Sequence, residues 1–277
     1  MKPQSTNLPL PLPLPASAPA PRKPWRLPLG LLLPLLAVAA LEFGVRNSLV
    51  PANLMPAPSE IATTLAWLAQ NGLPGHLASS CLRVAAGFAI GASLALALGA
   101  AVALNPRTER LLDPSFQALR AIPSLAWVPL LLLWFGIDET PKLILIAIGA
   151  FFPVYMGVVS GIRGVDRKLL EVGQLYRLSP LALARRVLLP AALPAVLTGL
   201  RNGLSLAWMF MVAAELIAAS QGLGYLLSDG RESSRADIML AAIVLLALLG
   251  KVSDTAMGAL EARLLSWRDS YANRGAR

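Results

Sequence analysis

The sequence predicts an all-α polytopic membrane protein with six transmembrane helices. Three observations carry that reading. The chain is 56% hydrophobic and 14% charged, whereas a soluble domain carries about 25% charged residues. Its mean hydropathy is +0.63, and several apolar runs approach or exceed the ~20 residues that a helix needs to cross a hydrocarbon core about 30 Å thick. None of these runs alternates with period two for long, as the strands of a membrane β-barrel would.

Residues 1–26 are rich in Pro, Ala and Leu-Pro repeats. Such composition cannot build a helical core, so they read as a disordered cytoplasmic tail. The first helix spans about 27–50, after Arg22, Lys23 and Arg26. A cleaved signal peptide, with Ala37-Val38-Ala39-Ala40 as its cleavage site, is the rival reading. The apolar stretch runs past a usual signal core of about 7–15 residues, which favours a membrane helix. Glu42 and Arg46 lie four apart in the favourable Glu-first order, which eases both toward the membrane edge. A polar interlude follows with a short amphipathic helix, Ser59 to Gln70, for which Ser59 is the N-cap and Ile61, Leu65 and Leu68 the apolar stripe.

Helix two covers about 77–104. Gly87, Gly91, Ala95 and Gly99 recur every four residues, a small-residue stripe that lets another helix come close. A loop over 105–113 precedes helix three, about 116–135, which Pro123 and Pro129 should kink. A turn over 136–142 leads to helix four, about 143–162. A charged loop, 163–190, separates it from helix five, about 191–219. A second interlude, 220–237, leads to helix six, about 238–257, and a basic cytoplasmic tail, 261–277.

Charge placement sets the topology. With the N-terminus in the cytoplasm, residues 1–26, 105–118, 163–190 and 261–277 lie inside and hold sixteen Lys and Arg. The opposite loops hold only Lys142, Arg231 and Arg235. That asymmetry follows the positive-inside rule, so both termini and the 163–190 loop face the cytoplasm. The net charge of +9 is thereby explained without nucleic acid. Cys81 is the sole cysteine and His76 the sole histidine, so no internal disulfide or catalytic Ser/His/Asp set is built here; His76 reads as a solvated loop side chain. A phosphate-cradling loop needs Gly-x4-Gly-Lys-Ser/Thr. The nearest approach, Gly250-Lys251, has Leu245 and Val252 at the other two positions.

The 163–190 loop is itself patterned. Leu169, Val172 and Tyr176 fall at helical i, i+3, i+7 spacing with Leu175 beside them, and Arg167, Lys168, Glu171, Gln174 and Arg177 fill much of the rest. This is a short amphipathic helix. Ser179-Pro180 then supplies an N-cap and a first-position proline, opening a second helix, Leu181 to Leu189, that stops at Pro190. The bland reading is a helix lying on anionic headgroups. The other is a knob that receives force from a cytoplasmic partner.

Glu171-Val172-Gly173, followed sixteen residues after the Glu by Val187-Leu188-Leu189-Pro190, resembles the loop signature of ABC-importer permeases. Their pattern opens Glu-Ala-Ala and closes Ile-x-Leu-Pro. The family's usual glycine, six residues after the Glu, is Arg177 here. Leu119 to Leu130 with Leu133-Trp134-Phe135-Gly136-Ile137 looks like the third helix of aliphatic-sulfonate permeases. Phe152-Pro153-Val154-Tyr155, Gly222 to Leu226, Ala247 to Lys251 and Pro56 to Glu60 are similar to the same group, and the nitrate, taurine and thiamine-precursor permeases share much of the pattern.

The resemblance implies a type I ABC importer permease fold over 27–260 in the bacterial inner membrane. It implies a knob that docks on a separate ATPase subunit through Leu169, Glu171, Val172, Gly173, Leu175, Tyr176 and Pro190. ATP would be bound by that partner, with no cofactor in this chain. A periplasmic binding protein would deliver the solute, and two docking knobs imply a second permease copy, a homodimer in the lipid bilayer. Within helix five, Arg201 and Glu215 are about 21 Å apart along one face. They are candidates for the translocation path, with inter-helix pairing as the bland alternative. An ion-coupled secondary transporter is the rival function, and a membrane-bound enzyme a third.

Overall fold

The computed structural model describes residues 29–51 and 55–267, so the Pro-rich segment 1–26 and the end of the basic tail lie outside the described residues. Its elements are helical throughout. They comprise α1 (Leu29–Arg46), α2 (Pro58–Gln70), α3 (Leu73–Leu104), α4 (Pro106–Ala121), a 3-10 turn (Ser124–Trp127), α5 (Val128–Phe135) and α6 (Glu139–Arg163). There follow α7 (Arg167–Leu175), α8 (Pro180–Leu183), a π-helical turn (Ala184–Leu188), α9 (Leu189–Ala218), α10 (Leu223–Glu232) and α11 (Ala236–Leu264).

The core is a sandwich of α3, α6 and α9, with α6 in the middle. Glycine makes it possible. A methyl group on Gly87 would strike Ile146, one on Gly91 would strike the Ala147 backbone, and one on Gly99 would press on Val158. The stripe read from the sequence is therefore the α3–α6 seam. The α6–α9 seam is also close: a methyl on Gly157 would stand 2.8 Å from the Gly199 α-carbon. Without hydrophobic drive between helices in lipid, such close backbone packing is what holds them. Val154, Tyr155 and Val158 fill the remaining space.

Among the described residues, four helices are long and apolar enough to cross a membrane: α3, α6, the run Ala184–Ile217 and α11. A fifth arises if α4 and the Ser124–Phe135 stretch, bent by 89°, count as one span. This corrects helix three. The segment expected as a loop over 105–113 is helical from Pro106, because the Asn105 side chain accepts the Arg107 N–H at 2.9 Å and Pro106 occupies the first turn, where no N–H is needed. The helix then breaks at Ile122 and Pro123, both extended. Proline disfavours the α conformation in the residue before it, so the chain breaks and turns where a kink was expected.

Other boundaries shift for local reasons. Ser59 does not cap α2. Instead Glu42 of α1 accepts the Ser59 N–H at 3.0 Å and its hydroxyl at 2.8 Å, while still holding Arg46 at 2.6 Å. Helix four begins at Glu139, so Lys142 lies inside α6 and not in a turn. The interlude 220–237 contains α10, and α11 runs to Leu264, past the expected end and into the segment taken as tail. His76 is not a solvated loop residue: it lies in α3, accepts the Gly222 N–H at 3.0 Å and stacks on Tyr225. Pro190 does not stop a helix. The π turn lets the Leu189 N–H reach the Ala184 carbonyl, and the chain passes through Pro190 in the first turn of α9.

Candidate functional site: the α7–α8 knob and the bundle charges

The knob is built by short-range chemistry. Asp166 caps α7 by accepting the Lys168 N–H at 2.9 Å, and Ser179 accepts the Ala182 N–H at 3.3 Å to open the next helix. Between them α7 ends in a Schellman motif. The Leu178 N–H returns to the Gly173 carbonyl at 3.2 Å and the Arg177 N–H to the Gln174 carbonyl at 2.8 Å. That motif places its turning residue in the left-handed region, and Arg177 stands there with φ +51°. The position where the resemblance implies glycine is thus the one where glycine is sterically free.

Gly173 is the buried member of α7, facing Leu183, Leu178 and Val187 of the returning chain. The remaining apolar residues point outward. Leu169 and Val172 are about half exposed at 47% and 48%, and Leu175 and Tyr176 stand at 81% and 78%. Glu171 is exposed beside them. Leu169, Val172 and Tyr176 form one wall of a groove of about 600 Å³; Val187, Pro190 and Trp267 form the other. Of the sequence-predicted residues, Leu169, Val172, Gly173, Tyr176 and Pro190 line this groove, and Glu171 and Leu175 are exposed outside its lining.

Arg201 and Glu215 are not brought together. Arg201 makes a two-pronged ion pair with Asp254 of α11 and has Glu261 at 3.8 Å. Glu215 is wholly enclosed: it accepts from Ser80 at 2.8 and 2.9 Å, from Arg83 at 2.8 Å and from the Gly224 N–H at 2.8 Å. Arg83 also forks onto Glu139 at 2.7 Å through two nitrogens and donates to the Gln221 carbonyl at 2.5 Å. Lys142 completes the set at 2.9 Å from Glu139. Ser80, Arg83 and Glu139 were missed by sequence reasoning. The signal existed, since an arginine inside an apolar membrane run calls for a named partner.

Comparison with known proteins agrees with this architecture. The model of the binding-protein-dependent transport system inner membrane component matches residues 87–266. A relative named for aliphatic sulfonates transport, the permease protein SsuC of Bacillus subtilis (strain 168), is 44% identical over 87% of this chain and 88% of its own. The protein of that name in Escherichia coli (strain K12) is 41% identical over 90% of this chain and 92% of its own. The taurine transport system permease protein TauC of Escherichia coli (strain K12) is 37% identical over 69% and 70%. Among solved structures, a chain of the inward-facing MetNI methionine ABC transporter superposes with a TM-score of 0.58 at 22% identity, covering 72% of this chain and 96% of that one; it shows the fold alone. With a glycine-sealed helical bundle, a projecting knob and a family match over most of its length, this chain belongs to the binding-protein-dependent transport system inner membrane component family.

Proposed function

We propose that the chain is the membrane subunit of an inner-membrane ABC importer for aliphatic sulfonates, driven by ATP that a partner subunit binds and hydrolyses. The observation that carries the proposal is the knob. A capped helix pair holds Leu175 and Tyr176 outward at about four-fifths exposure, the mark of a surface that another molecule covers. An ATPase groove is the occupant that the family calls for. Two knobs then require two permease chains, and a homodimer is the simplest assembly.

The full topology belongs to the same reading. A type I importer permease here has six spans, with α1 as the first and the bent α4–α5 pair as the third, and both termini in the cytoplasm. The excess of Lys and Arg in the 163–190 loop supports that orientation. A periplasmic binding protein delivers the solute. The sulfonate assignment draws on the two relatives named for aliphatic sulfonates. The relatives named for taurine and nitrate supply the other substrates to test, and all three solutes present an oxyanion.

Two experiments test this. Deleting the gene should abolish growth on alkanesulfonates as sole sulfur source and spare growth on sulfate; loss of nitrate assimilation in its place would move the substrate and keep the family. Cys81 is the sole cysteine, so a Cys81→Ser background with single cysteines at Gln174 or Leu175 gives clean crosslinking. These should join to a cysteine in the ATPase groove, with a yield that changes with nucleotide. Labelling from the periplasmic face would show that the topology is inverted.

A further inference from the structure

A second cavity, of about 350 Å³, lies where the broken helix meets α6 and α9, lined in part by Arg120, Ser124, Phe152, Met156, Met209 and Phe210. Its size lies at the lower end of the ~300–1,000 Å³ of small-molecule sites. Three properties set it apart from a packing defect. The first is depth. Phe152 stands near the middle of α6 (Glu139–Arg163), and Met209 and Phe210 within two turns of the middle of α9 (Leu189–Ala218). Arg120 itself stands exposed in the last turn of α4, and it lines a cavity that meets α6 and α9 near their middles.

The second is charge. Arg83 and Arg201 are neutralised by carboxylates, but no carboxylate pairs with Arg120 among the described residues. Ionisable side chains at membrane depth face the bundle interior or a water-filled cavity and mark solute pathways. The third is the backbone. The chain is non-helical at Ile122 and Pro123, immediately beside Arg120. Irregular backbone at membrane depth is tolerated only where it is buried in protein or lines an aqueous cavity.

The chemistry of the wall is two-sided. Arg120 offers a planar, permanently charged fork suited to an oxyanion, and Ser124, past the break at Ile122 and Pro123, adds a hydroxyl to the same lining. The same lining carries Met156 and Met209, whose flexible thioethers adapt to apolar chains of varied length. The Phe210 ring lies directly on Gly149, which has no side chain to hold it off, and so forms a flat apolar floor. We propose that this cavity is a binding station on the translocation path, where Arg120 takes the oxyanion head of the solute and Met156, Met209 and Phe210 its aliphatic chain. Arg120 is then the residue that makes the path selective for anions. The proposal rests on import of an anionic organic solute and adds where this chain recognises it.

The test uses the assembled importer, with its ATPase and binding protein, in cells and in proteoliposomes. Arg120→Gln should lower labelled butanesulfonate uptake at least ten-fold while leaving the amount of assembled complex unchanged; Arg120→Lys should recover part of the loss. Wild-type uptake by Arg120→Gln would overturn the station and leave sulfonate import standing. Import of a neutral or cationic solute and of no anion by the wild-type complex would overturn the functional reading, and the station with it. A readout independent of transport is cysteine access. In a Cys81→Ser background, Arg120→Cys should react with an anionic, water-borne methanethiosulfonate and be slowed by butanesulfonate. A thiol that stays unreactive with and without nucleotide would overturn an aqueous station. Met209→Trp should depress octanesulfonate uptake at least five-fold more than methanesulfonate uptake; equal losses would remove the tail contacts from the proposal.

Discussion

Two regions of this chain treat polarity in opposite ways. Where α3, α6, α9 and α10 meet, Ser80, Arg83, Glu139, Lys142 and Glu215 are knitted into one network, and among the described residues no buried side-chain polar atom lacks a partner. At the α7–α8 knob, apolar side chains stand in the open. The first region is complete within one chain. The second leaves Leu175 and Tyr176 uncovered by the chain's own residues. Polar groups buried in a low-dielectric medium must be satisfied locally because nothing else will satisfy them. Exposed apolar groups on a rigid, capped scaffold are costly unless a partner covers them. On the proposed function the cluster serves folding and the knob assembly, and mutation should separate the two.

The largest effect is expected at the cluster. Glu215→Ala leaves the Arg83 guanidinium short of a carboxylate and the Ser80 hydroxyl and Gly224 N–H without their acceptor. Breaking a buried pair from one side costs about 3–5 kcal/mol, so the variant should fall sharply in melting temperature and folded yield in detergent. Replacing both partners, Arg83→Met with Glu215→Leu, should cost less than Glu215→Ala alone, because Glu139 keeps Lys142. A double variant no better than the single one would mean that the network acts through more than its central pair.

The knob variants should show the converse. Leu175→Ala and Tyr176→Ala remove side chains that touch little in this chain, so its own melting temperature should hold. Binding to the ATPase subunit should weaken by more than about 1 kcal/mol for each residue that is a hot spot. Glu171→Lys adds a positive charge to a basic knob and should impair assembly with membrane insertion intact. If Leu175→Ala destabilised the isolated chain as Glu215→Ala does, the knob would be packed at home and the contrast would fail.

The sequence disclosed these two regions unequally. Periodicity revealed the α7 stripe because Leu169, Val172 and Tyr176 share a face within ten residues. The α3 glycines were legible for the same reason. The cluster was not, since its members come from positions 80, 83, 139, 142 and 215, and pairing across that separation is set by how helices stack. The break at Ile122-Pro123 was half legible: proline announced a disturbance, but neighbouring helices decide whether a membrane proline kinks or breaks its helix. His76 shows the limit of composition, because the backbone it holds, at Gly222, lies at the far end of the chain.

The smallest effect, and the finest test of how the knob is held, lies at Arg177. Its left-handed backbone costs a non-glycine residue roughly 1–2 kcal/mol relative to the right-handed region, yet the Schellman pair through Leu178 and Arg177 requires it. Arg177→Gly removes that cost and adds freedom to the unfolded chain, so the net gain should be under about 1 kcal/mol. Arg177→Val puts a β-branched side chain where φ is positive, a true outlier, and should open the turn. Arg177→Asn separates shape from charge, because asparagine visits this region readily while losing the positive group. Hydrogen exchange at the Leu178 amide reads the result directly, since that N–H closes the motif onto Gly173. Exchange should slow by up to about five-fold in Arg177→Gly, change little in Arg177→Asn and quicken in Arg177→Val. Were Arg177→Asn to quicken it as Arg177→Val does, the guanidinium and not the backbone would be holding the turn.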